Sequence, residues 1–196
     1  MPNWNIENEY YLNGYTIIAG TDEAGRGPLA GRVYAAACIL PPVCDLKGLD
    51  DSKKLSPKSR DRLFDEIIEE AISFGIAFST VEEIDELNVL NASLLAMRRA
   101  IGMLDPAPDL VLVDGHIIRG FEVKAIPVID GDKLSVSIAA ASVLAKVARD
   151  RYCLELDEKY PGYGFARHKG YPTVEHYRAI KELGVTDVHR KSFRLE

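Results

Sequence analysis

Carboxylates stand at the ends of three apolar runs in this chain. Tyr15-Thr16-Ile17-Ile18-Ala19 leads into Asp22-Glu23, Asp109 to Val113 (DLVLV) into Asp114-Gly115, and Phe121 to Ile129 into Asp130-Gly131-Asp132. Any one of these acids could be turn chemistry, and Asp-Gly is a common turn pair. Their shared placement predicts more. If the three runs are neighbouring parallel strands, Asp22, Glu23, Asp114 and Asp132 reach one sheet edge, and the C-terminal edge is where open α/β sheets bind ligands. Clustered carboxylates repel one another unless something positive joins them. With no Cys or His spaced beside them, the donors are oxygens only, which favours Mg²⁺ or Mn²⁺ over zinc. Two such ions, roughly 3.5–4 Å apart, are the usual clamp for in-line phosphodiester hydrolysis.

The acids at 22–23 run straight into Gly25-Arg26-Gly27-Pro28. Glycine lets the backbone turn sharply and come close to a ligand. Backbone amides and carbonyls can read a ribose 2′-hydroxyl, which both donates and accepts. A hairpin that merely needs glycine is the competing reading.

The elements that must hold these residues follow from pattern. Tyr15 to Gly20 and Gly31 to Leu40 read as two strands joined by a short link, hence an antiparallel hairpin, and Pro41-Pro42 ends the second. Ser56-Pro57 predicts a helix start, with Leu63, Ile67 and Ala71 as its apolar stripe and Gly75 as its stop. Gly75 to Val81 reads as a third strand, and Thr80 with Glu83 as a capping box opening a helical region to about Leu104. Asp109 to Val113 and Phe121 to Ile129 are the remaining strands. The six residues 115–120 between them form a short link for a parallel crossover. Ser135 to Tyr160 predicts one long helix, small and apolar all round in its first half and so packed centrally. A last helix spans Thr173 to Leu183. The order implies an α/β fold with a mixed sheet flanked by helices and a small basic tail.

Bulk properties bound the function. The 196 residues suit one domain, and 47% hydrophobic with 28% charged residues is ordinary for a soluble globular protein. No apolar run approaches the ~18 residues of a membrane span, and the start lacks the pattern of a signal peptide. Cys38, Cys44 and Cys153 are few and scattered, which argues for a reducing, cytoplasmic setting. The net charge of −6 hides an asymmetry. Residues 61–88 carry nine acids against one base, while residues 166–196 carry seven Lys/Arg against four acids, with three histidines besides. Such asymmetry can orient a protein on a polyanion, although two solvated faces would look the same.

The stretches GTDEAGRGPLAG, DSKKLS, VDG, GDKLSVSIAAASVLAKVARD, YPGYGFARHKGYPT and HRKSF together resemble the ribonuclease HII family in its bacterial form, from about Thr16 to Phe193. The resemblance implies a ribonuclease H-like fold: a five-stranded mixed sheet with parallel first, fourth and fifth strands, flanked by helices. It implies a catalytic domain over residues 1–164 and a C-terminal helical substrate-binding segment over 165–196. By resemblance, Asp22 bridges two divalent ions, with Glu23, Asp114 and Asp132 completing their shells. The implied reaction hydrolyses the RNA strand of RNA–DNA hybrids and nicks 5′ of single ribonucleotides in duplex DNA, leaving 3′-hydroxyl and 5′-phosphate ends. The glycine loop Gly25-Arg26-Gly27 then contacts the 2′-hydroxyl, and Tyr171 stacks on the following deoxyribose. Taken alone, Tyr171 reads as a half-buried aromatic before a helix.

Lys53 and Lys54 in a polar loop, and Ser142, Lys146 and Arg149 at helical spacings of four and three, fit phosphate contacts or an ordinary amphipathic surface. His168 and His189 lie in motif segments and receive no chemical role. The expected protein is a monomer. Neither an N-terminal nucleic-acid-binding extension, which counts against a type HIII enzyme, nor an aromatic clamp-binding tail is present, so a sliding-clamp partner is unsupported. The rival readings are another nuclease of this fold, type HIII or a junction resolvase, and a non-catalytic nucleic-acid-binding module with structural acids.

Overall fold

How closely the longest helix lies on the sheet is decided by small residues. The computed structural model describes residues 1–42 and 44–196. Five strands, β1 (Ile18–Ala24), β2 (Val33–Ile39), β3 (Ser73–Ser79), β4 (Leu110–Asp114) and β5 (Ala125–Val128), form one sheet in the order β3-β2-β1-β4-β5. The helices are α1 (Asn5–Leu12), α2 (Pro57–Glu70), α3 (Val81–Leu87), α4 (Val89–Ile101), α5 (Gly131–Leu134), α6 (Val136–Lys159), α7 (Phe165–His168) and α8 (Val174–Leu183). β1 pairs antiparallel with β2 and parallel with β4, β2 pairs antiparallel with β3, and β4 pairs parallel with β5. The expected mixed sheet and hairpin are present.

Helix α6 covers one face. Its Ala139, Ala140, Ala141, Val143 and Leu144 are fully buried, packed with Ala36 and Cys38 of β2 and with Leu63 and Ile67 of α2. A Cβ added at Gly20 would overlap the backbone of Ser137 and Ile138, so glycine at the sheet's centre lets α6 settle directly on β1. Helix α4 covers the other face with Ala92, Ala96, Met97 and Ala100. A third cluster joins Leu29 and Ala30 to Tyr152, Phe165, Ile180 and Val188, tying the C-terminal segment to the end of the glycine loop.

Helix starts follow their caps. Ser56 accepts from Ser59 N–H with Pro57 in the first turn, Thr80 and Glu83 form a capping box, and Ser135 and Thr173 cap α6 and α8. Several boundaries depart from the pattern. Asp22 and Glu23 lie inside β1 rather than after it, opposite Ala36 and Ala35, because the hairpin partner continues past them. Helix α2 ends at Glu70, and Gly75 falls inside β3, where a side chain would overlap the Ala100 carbonyl of α4. The region before Leu104 is two helices, divided at Asn88, whose φ is 65° and whose side chain caps α4. β5 begins at Ala125, so the link from β4 is longer than expected and crosses without a helix. Helix α1 was not anticipated.

Candidate active site

The register of the parallel strands brings the first acids together. Thr21 pairs with Val113, so one step further Asp22 and Asp114 stand on adjacent strands at the same level. Asp22, two residues on from Gly20, faces α6 and is 5% exposed. Burial drives its carboxyl well above the ordinary range, Glu23 and Asp114 push it further, and Ser142 and the Glu23 amide bond it in opposition. The Glu23 N–H donates to Asp22 Oδ1 at 2.7 Å. Burial also raises Glu23, against the pull of Arg26, whose guanidinium meets Glu23 Oε1 at 3.2 Å. Asp114 Oδ1 accepts from Gly131 N–H at 2.8 Å, linking the end of β4 to the α5 turn that carries Asp132. Asp132 is buried, and burial, Asp114 and Asp51 all raise its carboxyl.

The four acids therefore gather at one edge and strain one another electrostatically. Among the described residues, however, no three His, Cys, Asp or Glu side chains converge into a closed metal cage. Lys53, Arg26 and Lys133 offset part of the like-charge repulsion between these carboxylates. An all-oxygen donor set carrying that much uncompensated charge fits a hard divalent cation.

A cleft of about 270 Å³ joins Asp22 and Glu23 to Gly25, Arg26 and Gly27, to Ser52 and Lys53, to Ser142, Lys146 and Arg149, and to Tyr171. A larger groove of about 1060 Å³ lies between α8 and the chain's end. Glu196 is its only acid, so size does not mark the site. Gly25 has φ 102°, and a Cβ there would overlap the Arg149 side chain, so glycine is required twice over. A Cβ on Gly27 would sit 3.2 Å from the Tyr171 ring, which is 42% exposed.

The basic residues divide. Lys53 faces Asp22, Asp132, Asp51 and Asp114; burial works against its charge, but these acids outweigh it and hold the ammonium firmly. Lys54 is exposed and pairs with Asp50 at 3.3 Å, away from the acids. Lys146 is committed to Asp150, which also pairs with Arg60 at 3.5 Å. Ser142 is buried against Ser52 Oγ at 3.0 Å and lowers the Asp22 carboxyl, so it supports the acid from beneath. Arg149 borders the cleft but is committed to the main chain. It is 1% exposed and donates to the carbonyls of Lys169 at 3.0 Å, Arg32 at 3.3 Å and Ala30 at 3.4 Å. Helical spacing placed it on the cleft face of α6 with Ser142 and Lys146, and its guanidinium is taken up by the C-terminal segment.

Three features escaped the sequence. Asp51 is a fifth acid beside the cluster, 6% exposed, accepting from Lys53 N–H at 2.9 Å; its place in DSKKLS was the available signal. Arg190 is fully buried under the glycine loop. His176 and His189 are fully buried beneath the Tyr171 turn.

Comparison with known proteins agrees with this architecture. The sequence profile described as Ribonuclease HII matches residues 19–196. Ribonuclease HII of Clostridioides difficile is 52% identical over 188 residues, covering 96% of this chain and 74% of that protein. Ribonuclease HII of Marinomonas sp. is 55% identical over 178 residues, covering 90% of this chain and 89% of that one. Among solved structures, ribonuclease H2 from Pyrococcus horikoshii superposes with a TM-score of 0.76 at 26% identity, over 92% of this chain and 95% of that chain.

Proposed function

The chain belongs to the ribonuclease HII family of hydrolytic endoribonucleases, and from that premise we propose that it cuts at single ribonucleotides within duplex DNA as well as along RNA–DNA hybrids. The cut falls 5′ of the ribonucleotide and leaves 3′-hydroxyl and 5′-phosphate ends. Asp22, Glu23, Asp114 and Asp132 would hold two Mg²⁺ or Mn²⁺ ions. Such ions, when bound, neutralise charge on the attacked phosphate and lower the pKa of water.

The protein's own groups do the rest. Ser142 and the Glu23 amide fix the Asp22 carboxylate, and the Gly131 amide fixes Asp114. Lys53 adds a fixed positive charge beside the acids, suited to a neighbouring phosphate. Main-chain groups of Gly25 to Gly27 read the 2′-hydroxyl, and the exposed Tyr171 ring supports the next sugar. The observation that carries this reading is the single cleft in which the glycine loop, Tyr171 and the Asp22–Glu23 pair meet. Cleavage is thereby tied to the identity of the sugar.

The test is a duplex with one embedded ribonucleotide, incubated with and without Mg²⁺ or Mn²⁺. Wild type nicks it only with metal. Asp22→Asn abolishes nicking while duplex binding, followed by mobility shift, persists. Tyr171→Ala loses more on this duplex than on a long hybrid. Normal cleavage by Asp22→Asn sinks the assignment.

A further inference from the structure

We propose that the adjacent residues His189 and Arg190 form a clasp that positions both walls of the sugar-reading cleft, the glycine loop on one side and the Tyr171 turn on the other. The kinetic part rests on the reading of those walls given above.

Arg190 is the clasp's first arm. Its side chain is 0% exposed and makes no ion pair among the described residues; instead it donates to main-chain carbonyls. Nη2 reaches Gly25 O at 2.6 Å, Nη1 reaches Arg26 O at 2.9 Å and Nε reaches Gly31 O at 2.9 Å. The fork thus spans the start and the end of the glycine loop. A planar guanidinium can hold several carbonyls at fixed angles, whereas a lysine ammonium offers donors around one point. Burying the charge is tolerable only because these oxygens surround it.

His189 is the second arm, and its hydrogen bonds fix the tautomers. The Thr186 N–H donates to His189 Nδ1 at 3.1 Å, so the ring proton lies on Nε2. That proton is donated to His176 Nε2 at 3.2 Å. His176 must then carry its own proton on Nδ1, which it donates to the Tyr171 carbonyl at 3.0 Å. The relay runs one way from Thr186 to Tyr171 and needs both rings neutral. His168 braces it, stacked on His176 with ring centroids 4.5 Å apart and accepting from Gly170 N–H at 3.1 Å.

The main chain locks the arms together. Arg190 N–H donates to Leu29 O at 2.8 Å, Gly31 N–H to Val188 O at 2.8 Å, and Leu29 N–H to Gly170 O at 2.8 Å. Beyond the clasp, Asp85 of α3 accepts from Lys191 N–H at 3.0 Å and from Ser192 N–H at 2.9 Å. The dipeptide sits between two turns, closed by His189 N–H on Thr186 O at 3.1 Å and Phe193 N–H on Arg190 O at 3.0 Å, and from there its side chains reach the two walls.

The experiment compares Arg190→Lys, His189→Phe and the control Lys191→Ala, whose side chain is exposed, with wild type. Amide hydrogen exchange on the free protein is read at residues 25–27 and 170–171. Arg190→Lys and His189→Phe raise exchange at both walls, while β4 stays protected and Lys191→Ala changes neither. In kinetics, both clasp variants reproduce the Tyr171→Ala pattern. They lose at least about tenfold in kcat/KM on the one-ribonucleotide duplex and far less on a long hybrid, as expected for a misplaced contact. Unchanged exchange at both walls in both variants overturns the clasp. So does exchange rising across the whole sheet with equal losses on the two substrates. If Arg190→Lys does not fold, His189→Phe decides by the same readouts. If wild type fails to nick the one-ribonucleotide duplex, the sugar-reading assignment falls, and exchange alone still decides the clasp.

Discussion

Lys53 and Lys54 are neighbours in sequence with different surroundings. Lys53 looks into four carboxylates, whereas Lys54 points outward to Asp50 and is 57% exposed at its side chain. An exposed pair of this kind contributes little, while a cation held beside a reacting phosphate acts where charge develops. Lys53→Met should therefore slow cleavage by at least about tenfold, equivalent to roughly 1.4 kcal/mol of barrier. Lys54→Met should leave the rate within a factor of about two. Single-turnover cleavage at saturating metal checks both; equal effects would remove Lys53 from the site. The two lysines could not be told apart from their letters. Their difference is made by the turn at Asp51, whose carboxylate takes the Lys53 amide and aims the side chain inward.

At the scale of elements, the closeness of α6 to β1 is what aligns Ser142 with Asp22. Gly20→Ala forces a methyl into the α6 backbone and should lower stability by about 1–3 kcal/mol. Gly102, with φ −64° and no neighbour closer than 3.4 Å, accepts alanine without strain, and Gly102→Ala should be neutral or slightly stabilising. Urea unfolding of the two variants makes the contrast. Much of this level was legible. The caps at Ser56, Thr80, Ser135 and Thr173 and the all-apolar first half of α6 are local signals, and locality is what a sequence displays. The acids' position inside β1 was not legible, because β2 extends that strand. Gly75 was read as a helix stop because its reason is a carbonyl of a distant helix. Arg190 and Arg149 were opaque for a related cause: their partners are main-chain oxygens, which no residue letter records. Helix α1 lacks a side-chain cap and has only Glu7 buried, so its pattern was silent.

For the molecule as a whole, acid is predicted to loosen the C-terminal segment first. Burial, then His176, lower His189 from 6.5 to about 4, and burial lowers His176 as well. The charged or titratable groups facing them are His168 and Asp187, with Asp187 pulling weakly the other way. The unfolded chain thus binds protons that the folded relay refuses. The relay's contribution is complete above about pH 6.5 and is lost as pH falls toward 4. The cleft carboxylates are raised by burial and so act in the opposite sense. Comparing melting temperature against pH for wild type and His189→Phe separates the two. The variant should show a smaller decline between pH 6.5 and 4, and identical slopes would remove the histidines as the cause.

Protein synthesis runs from the amino end, and this order has a consequence here. The ribosome delivers Asp22, Glu23, Asp114, Asp132, the glycine loop and Tyr171 before it delivers Arg190, the residue on which that loop is hung. A nascent polypeptide thus holds the residues of its acidic edge before it holds the guanidinium that fixes the glycine loop. Release of residue 190 from the ribosome is the event that completes the support of this loop, and a fragment halted earlier carries the four acids without it.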